Sequence, residues 1–415
     1  MQKPLDIRLA TNLPTEGSSS SAKAKHSLRL SGLNWFRSRF SMGQPINSHQ
    51  VGLEAASSIP AAAVTQSTQA STGLPSTDSP PYLEASSLVS STAEVQGTVS
   101  TDTPIRDNNA AESSKETALL KAAIQPQLLH LAAQNGQTDI VEQLLDKGIP
   151  IETRNHYNNT PLHLAAGEGH SGTVELLLRK GAPIESKGNH GNTPLHQAAQ
   201  NGKCGIVELL LEQGALIKAR NNSNNTPLHL AAWEGHSGAV GLLLRKGAPI
   251  ELWGDHGHTP LHQAAQNGKS GTVEFLLEQG ALIGTRNNYN NTPLHLAAWD
   301  GHSGTVELLL RKGAPIESMG NYDNTPLHQA AQNGKSGTVE LLLEKGALIE
   351  ARTNQNNTPL HLAARGGHTS TVELLLRKGA SMESMGNQNN TPLRQAAQAG
   401  HSATVGLLLE KGASN

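Results

Sequence analysis

The sequence predicts an all-α repeat solenoid: helix–turn–helix units joined by hairpin loops, stacked in one row and preceded by a disordered N-terminal tail. Three observations predict it. Thr-Pro-Leu-His recurs at a period of 33, at Thr160, Thr193, Thr226, Thr259, Thr292, Thr325 and Thr358, and as Thr-Pro-Leu-Arg at Thr391. A fixed period in this range marks units that bury their apolar faces only against one another. Each unit carries two short apolar runs at helical spacing. The third observation is a change of composition near residue 110.

The tail comes first. Between Ser57 and Pro104, 19 of 48 residues are Ser or Thr and five are Pro, with no Lys or Arg and only Asp78, Glu84, Glu94 and Asp102 charged. Such a stretch buries too little apolar surface to offset roughly 1–2 kcal/mol of backbone entropy per residue, so residues 1–110 read as disordered. One island interrupts it at 23–42, where Trp35, Phe36 and Phe40 stand among Lys23, Lys25, Arg29, Arg37 and Arg39. It reads either as a short docking motif or as a chance cluster, for Gly32 breaks any helix and the apolar spacing forms no clean face. Residues 111–126 follow as an expected capping helix, with Leu119, Leu120 and Ile124 on one side.

Nine units then start at 127, 160, 193, 226, 259, 292, 325, 358 and 391, the first with Gln127-Leu128-Leu129-His130 in place of the motif. In the second unit Thr160 suits an N-cap and Pro161 the first helical position, where its missing N–H costs nothing. Leu162, Leu164, Ala165 and Ala166 form the first helix, and Val174, Leu176, Leu177 and Leu178 the second; Gly169 and Gly181 end them. Helices of about two turns are unstable alone in water. The residue two places before each Thr is expected at positive φ, since the occupants are Asn158, Gly191, Asn224, Gly257, Asn290, Asp323, Asn356 and Asn389.

The pattern T-P-L-H-x-A-A, a Gly two residues on, then V-E-L-L-L-x-x-G-A resembles the ankyrin repeat, and the resemblance extends over residues 127–415. It implies an ankyrin-type stack, a structural hydrogen-bonding role for the motif His, and non-enzymatic binding of a protein partner. Long arrays of near-identical units resemble those of fungal and intracellular bacterial proteins, where they serve as sensors, adaptors or effectors.

Composition closes other routes. Lys+Arg 32 against Asp+Glu 34 leaves a charge of −2, with no bulk attraction to nucleic acid or an anionic membrane. The one cysteine, Cys204, excludes an intramolecular disulfide framework or multi-Cys zinc site. No apolar run is long enough for a membrane span or a secretory signal, so a cytoplasmic protein is expected, the nucleus not being excluded. Eight motif histidines, His130 to His361, march along a rod instead of converging on a metal. Five later ones (His170, His236, His302, His368, His401) are expected to be solvated. No nucleophile elbow, phosphate loop or metalloprotease motif occurs, so neither catalytic residues, cofactor nor metal is expected.

In ankyrin repeats the binding positions lie six, four, three and one residue before the motif Thr and late in the first helix. Here those positions hold every Trp and Tyr of the array: Tyr157, Trp233, Trp253, Tyr289, Trp299 and Tyr322. Lys187, His190, His256, Met319 and Arg365 complete the expected partner-binding set, on the concave hairpin and first-helix face. Exposed aromatics are enriched in binding hot spots. The alternatives are a structural spacer, each unit rising roughly 9–10 Å, and a nucleic-acid reader. The latter lacks a basic stripe.

A charge ladder ends each second helix: Asp146, Arg179, Glu212, Arg245, Glu278, Arg311, Glu344, Arg377 and Glu410. It follows a 66-residue super-repeat in which Leu164, Leu230, Leu296 and Leu362 alternate with Gln197, Gln263, Gln329 and Gln395. Each acid is expected between two arginines, enforcing stacking order. The last unit shows no polar cap, so a monomer with weak self-association through that end is expected.

Overall fold

The computed structural model describes residues 125–414. The expected disordered tail, the island at 23–42 and the capping helix up to residue 124 lie outside the described residues. What is described is helical, with no strand among the described residues. Helix α1 spans 125–134 and α2 Thr138–Asp146. The later units repeat the pair: α3 Pro161–Glu168 and α4 Ser171–Arg179, α5 Pro194–Gln200 and α6 Cys204–Glu212, α7 Pro227–Glu234 and α8 Ser237–Arg245, α9 Pro260–Gln266 and α10 Ser270–Glu278. Then come α11 Pro293–Asp300 and α12 Ser303–Arg311, α13 Pro326–Gln332 and α14 Ser336–Glu344, α15 Pro359–Arg365 and α16 Thr369–Arg377, α17 Pro392–Gln398 and α18 Ser402–Glu410. First helices pack on first helices and second on second, unit after unit.

The core follows from the motif. Leu162, Ala165, Ala166, Val174 and Leu177 are fully buried or nearly so, as are their counterparts in the following units up to Leu375. Paired alanines let neighbouring first helices approach closely, while Val and Leu fill the space against the second helices. Thr160 caps α3 with extended backbone (φ −85°, ψ 166°), and Pro161 follows at the first helical position.

α1 departs from the expected boundary at 126. It runs unbroken from 125, because Gln127 and Leu128 replace the capping Thr and the helix-starting Pro. The outer flank of this first unit carries Leu128 and Leu131 of α1 and Ile140 of α2 exposed. In later units the counterparts of Ile140, from Thr173 to Thr404, are buried under the preceding unit. At the other end Leu409 is exposed.

Candidate interaction surface

The motif histidine sets the frame. In His163, Nδ1 accepts from the Thr160 N–H at 3.2 Å, the job that a glutamate performs in an ordinary capping box. Nε2 therefore carries the proton and donates to Asn192 O at 3.0 Å, tying the helix start to the following hairpin. The same geometry recurs at His196, His229, His262, His295, His328 and His361. Burial holds His163, His196, His229, His262, His295 and His328 down at about 4, so they are neutral near pH 7. The structural role implied for this His is what the geometry shows. Among the described residues no cluster of three or more His, Cys, Asp or Glu could hold a metal ion.

The five later histidines are not simply solvated. His170 Nε2 donates to Gln134 O at 2.8 Å, His368 to Gln332 O at 2.9 Å and His401 to Arg365 O at 3.0 Å. Their rings lie where a Cβ on Gly136, Gly334 and Gly367 would stand, about 2.5 Å from Nδ1. Each caps the end of the preceding unit's first helix, where carbonyls lack intrahelical partners. The glycine there is needed for that close approach as well as for its positive φ.

Hairpin tips turn on the residues expected. Asn158, Gly191, Asn224, Gly257, Asn290, Asp323, Asn356 and Asn389 all have φ between 56° and 72°. The tips nevertheless come in two alternating forms. In one, Asn155 Oδ1 accepts from the N–H groups of Tyr157 and Asn159, both at 3.0 Å. In the other the tip residue itself has positive φ: His190, His256, Tyr322 and Gln388. Tyr157 and Tyr289 thus share a sequence position with Tyr322 but not its backbone conformation. Carbonyls of the second form accept from the next hairpin, His190 O from Asn222 N and His256 O from Asn288 N, each at 2.9 Å.

A clamp that the sequence reading missed fixes these tips. Arg154 donates to its own hairpin at Asn158 O and forward to Lys187 O. Arg220 does so to Asn224 O and Trp253 O, Arg286 to Asn290 O and Met319 O, and Arg352 to Asn356 O and Met385 O. The backbone is pinned four times at the positions where the side chains read Lys, Trp, Met and Met. The recurrence of Arg every 66 residues was the available signal.

Those side chains point outward. Trp253 is 58% exposed, Met319 55%, Tyr322 60% and Tyr157 55%, and Lys187, His190 and Arg365 are exposed too. Trp233, at 37%, is less open than expected of a solvated ring, and Trp299, His256 and Tyr289 are half-buried. Tyr289 Oη lies 3.2 Å from His256 Nδ1, and burial raises its phenol pKa. Trp233 and Trp299 belong to a row along the first helices: Gly167, Gln200, Trp233, Gln266, Trp299, Gln332, Arg365. Gly167 leaves Gln197 half-exposed, whereas Gln263 and Gln329, beside Trp233 and Trp299, are 4% exposed. Gln395, beside Arg365, is buried as well, at 6%.

The charge ladder pairs differently from the expectation. Lys180 reaches Asp146 at 2.9 Å and Glu142 at 3.5 Å; Lys246 reaches Glu208 and Glu212, and Lys312 reaches Glu274 and Glu278. Arg311 meets Glu274 at 3.6 Å and Arg377 meets Glu340 at 3.9 Å, one turn before the ladder acids Glu278 and Glu344. No ladder arginine is paired with a ladder acid among the described residues. The reason is angular. Neighbouring residues point about 100° apart, so the ladder Arg stays largely exposed and reaches at most the glutamate one turn before the ladder acid, while the Lys after it turns back to the preceding unit.

Pinned backbone, buried neutral histidines and variable tips together define a repeat scaffold that presents one face of side chains. The family model for ankyrin repeats in three copies matches residues 103–188, 129–221, 180–253, 216–287, 243–320, 261–353 and 327–415. The chain belongs to the ankyrin repeat family. Members are generally protein–protein interaction modules and typically non-enzymatic. A comparison with curated proteins found no match. No helix of the described residues is long and apolar enough to cross a membrane.

Proposed function

We propose that the array is a non-enzymatic adaptor or sensor that holds a protein partner on its hairpin and first-helix face, the concave side of such a stack. One observation carries the reading. At Lys187, Trp253, Met319 and Met385 the carbonyl is clamped by an arginine in every case, while the exposed side chain changes. A spacer has no use for such exposed side chains, since apolar tips invite aggregation. A binding face needs rigid backbone and variable, aromatic-rich tips.

The test is affinity capture with two variants beside the parent chain. One carries Trp253→Ala, Met319→Ala and Tyr322→Ala on the face; the other carries Lys180→Gln and Lys246→Gln on the second helices. Capture by the face variant falls roughly tenfold or more, as one aromatic anchor is worth about 2 kcal/mol, while the second-helix variant binds like the parent. Equal capture by all three, with circular dichroism unchanged, leaves the spacer reading.

A further inference from the structure

A second row of apolar side chains runs along the array, ten residues before each motif Thr and outside the proposed binding face. Leu216, Leu282 and Leu348 are 60%, 63% and 62% exposed. Pro183, Pro249 and Pro315 hold the same place in the units between, and none of them is buried. Each leucine sits on fixed backbone, because its N–H donates to a glutamate of the preceding unit: Leu216 to Glu185 at 2.7 Å, Leu282 to Glu251 and Leu348 to Glu317 at 2.8 Å. Pro249 and Pro315 have no N–H to donate, and the preceding units carry Lys218 and Gly284 in place of that glutamate. Leucines held this rigidly in the open mark a contact surface.

The charge ladder accompanies the row, four residues earlier in every unit. Glu212, Glu278 and Glu344 precede the leucines, and Arg179, Arg245 and Arg311 precede the prolines. Within the chain the two signs do not meet. Glu212 and Glu278 each touch a lysine through Oε1 alone, at 3.5 and 3.7 Å, and both stay largely exposed, as do the three arginines. A carboxylate so placed has its other oxygen for a second cation.

Leu with Glu and Pro with Arg thus alternate over six units, with a period of two units or roughly 16–20 Å. Only a surface of the same period complements it at every unit, and a second copy of the chain has that period. A two-fold axis between the units starting at 226 and 259 turns the copy end for end. Pro249 then stands opposite Leu282, Leu216 opposite Pro315 and Pro183 opposite Leu348. Bulky leucine meets flat proline, each ladder glutamate meets an arginine, and the contact closes on itself. Parallel copies in register would set like charges face to face, and a parallel shift of one unit would string copies into an open chain. The row is about 40–50 Å long and about one helix diameter, 10–12 Å, wide. It offers about 400–600 Å² per copy against about 800 Å² in a standard interface, so the pair comes apart on dilution.

We infer that this row is the interface of an antiparallel homodimer, which carries two copies of the proposed binding face.

Sedimentation equilibrium of the full chain over a wide range of concentrations tests this. The parent passes from monomer to dimer. Leu216→Glu, Leu282→Glu and Leu348→Glu together, with circular dichroism unchanged, weaken the dimer roughly tenfold or more. Arg179, Arg245 and Arg311 all changed to Glu lose self-association, as do Glu212, Glu278 and Glu344 all changed to Arg, while a mixture of the two variants dimerises. Spin labels report the direction of pairing, placed singly by Gln213→Cys, Gln279→Cys or Lys345→Cys in a Cys204→Ser chain. Across the dimer the label pairs lie one unit apart along the row for Gln279, three for Gln213 and five for Lys345, roughly 8–10, 24–30 and 40–50 Å. A chain monomeric at every concentration overturns the inference, as does a dimer that survives the leucine variant or a mixture that stays monomeric. Equal distances at the three sites, which mean parallel copies, or the shortest at Lys345, which means contact through the last unit, overturn it too.

Discussion

Acidification should dismantle the array through its motif histidines. Six of them, His163, His196, His229, His262, His295 and His328, titrate at about 4 in the folded chain against 6.5 in the unfolded one. Between those values the unfolded chain binds more protons, so stability rises with pH: it is full above 6.5 and is lost as pH falls toward 4. At pH 5 each histidine costs about 2 kcal/mol relative to neutral pH, and the six together about 12 kcal/mol. That is comparable to the whole stability of an ordinary domain. Urea unfolding followed by far-UV circular dichroism at neutral pH and at pH 5 measures it. The midpoint should fall steeply, and His262→Gln should be weaker at neutral pH but less sensitive to acid than the parent. A midpoint unchanged between the two conditions would refute the neutral, Nε2-protonated assignment.

Three further outcomes follow from the packing. Because these lysines pair with acids of the preceding second helix, Lys180, Lys246, Lys312 and Lys378 all changed to Gln should lower Tm at low salt more than the same change at Arg179, Arg245, Arg311 and Arg377. Exposed pairs contribute little each, and added salt should narrow the difference. Gly241 stands where most units have Glu, and a Cβ there would lie 3.0 Å from the Phe275 ring; Gly241→Ala should gain its helix propensity of about 1 kcal/mol only alongside Phe275→Leu, as a double-mutant cycle would show. Amide exchange within residues 160–414 should be fastest in α17 and α18, whose outer side no described unit covers; slow exchange there in a chain shown to be monomeric would count against an open end.

Contacts within a unit were legible and contacts between units were not. Thr160, Pro161 and Gly169 announce the first helix because caps act over a few residues, and Asn158 or Gly191 announces positive φ by chemistry alone. His163 was recognisable through the resemblance to ankyrin repeats, its bonds to Thr160 lying three residues away. His170 was misjudged since its partner, Gln134 O, is a carbonyl 36 residues back. Arg154 escaped notice for the same reason: it bonds main chain in the next hairpin, and main chain leaves no mark on the residue identity. The ladder was visible as a pattern of sign, yet which of Arg179 and Lys180 turns toward Asp146 depends on helix phase. The aromatic face was legible as composition, whereas the partial burial of Trp233 and Trp299 depends on how neighbouring units pack.

On the proposed function, the hairpin tips and the first-helix row form the face that meets a partner. Oxidative footprinting of the chain, free and with its captured partner, reads Trp233, Trp253, Met319, Tyr322 and Met385 directly, because these side chains oxidise readily when exposed. The partner should protect them together and leave Phe275 and Cys204 on the second-helix side as reactive as in the free chain. Protection of Phe275 and Cys204 with the tips unchanged would place the partner on the other face and overturn the proposed function.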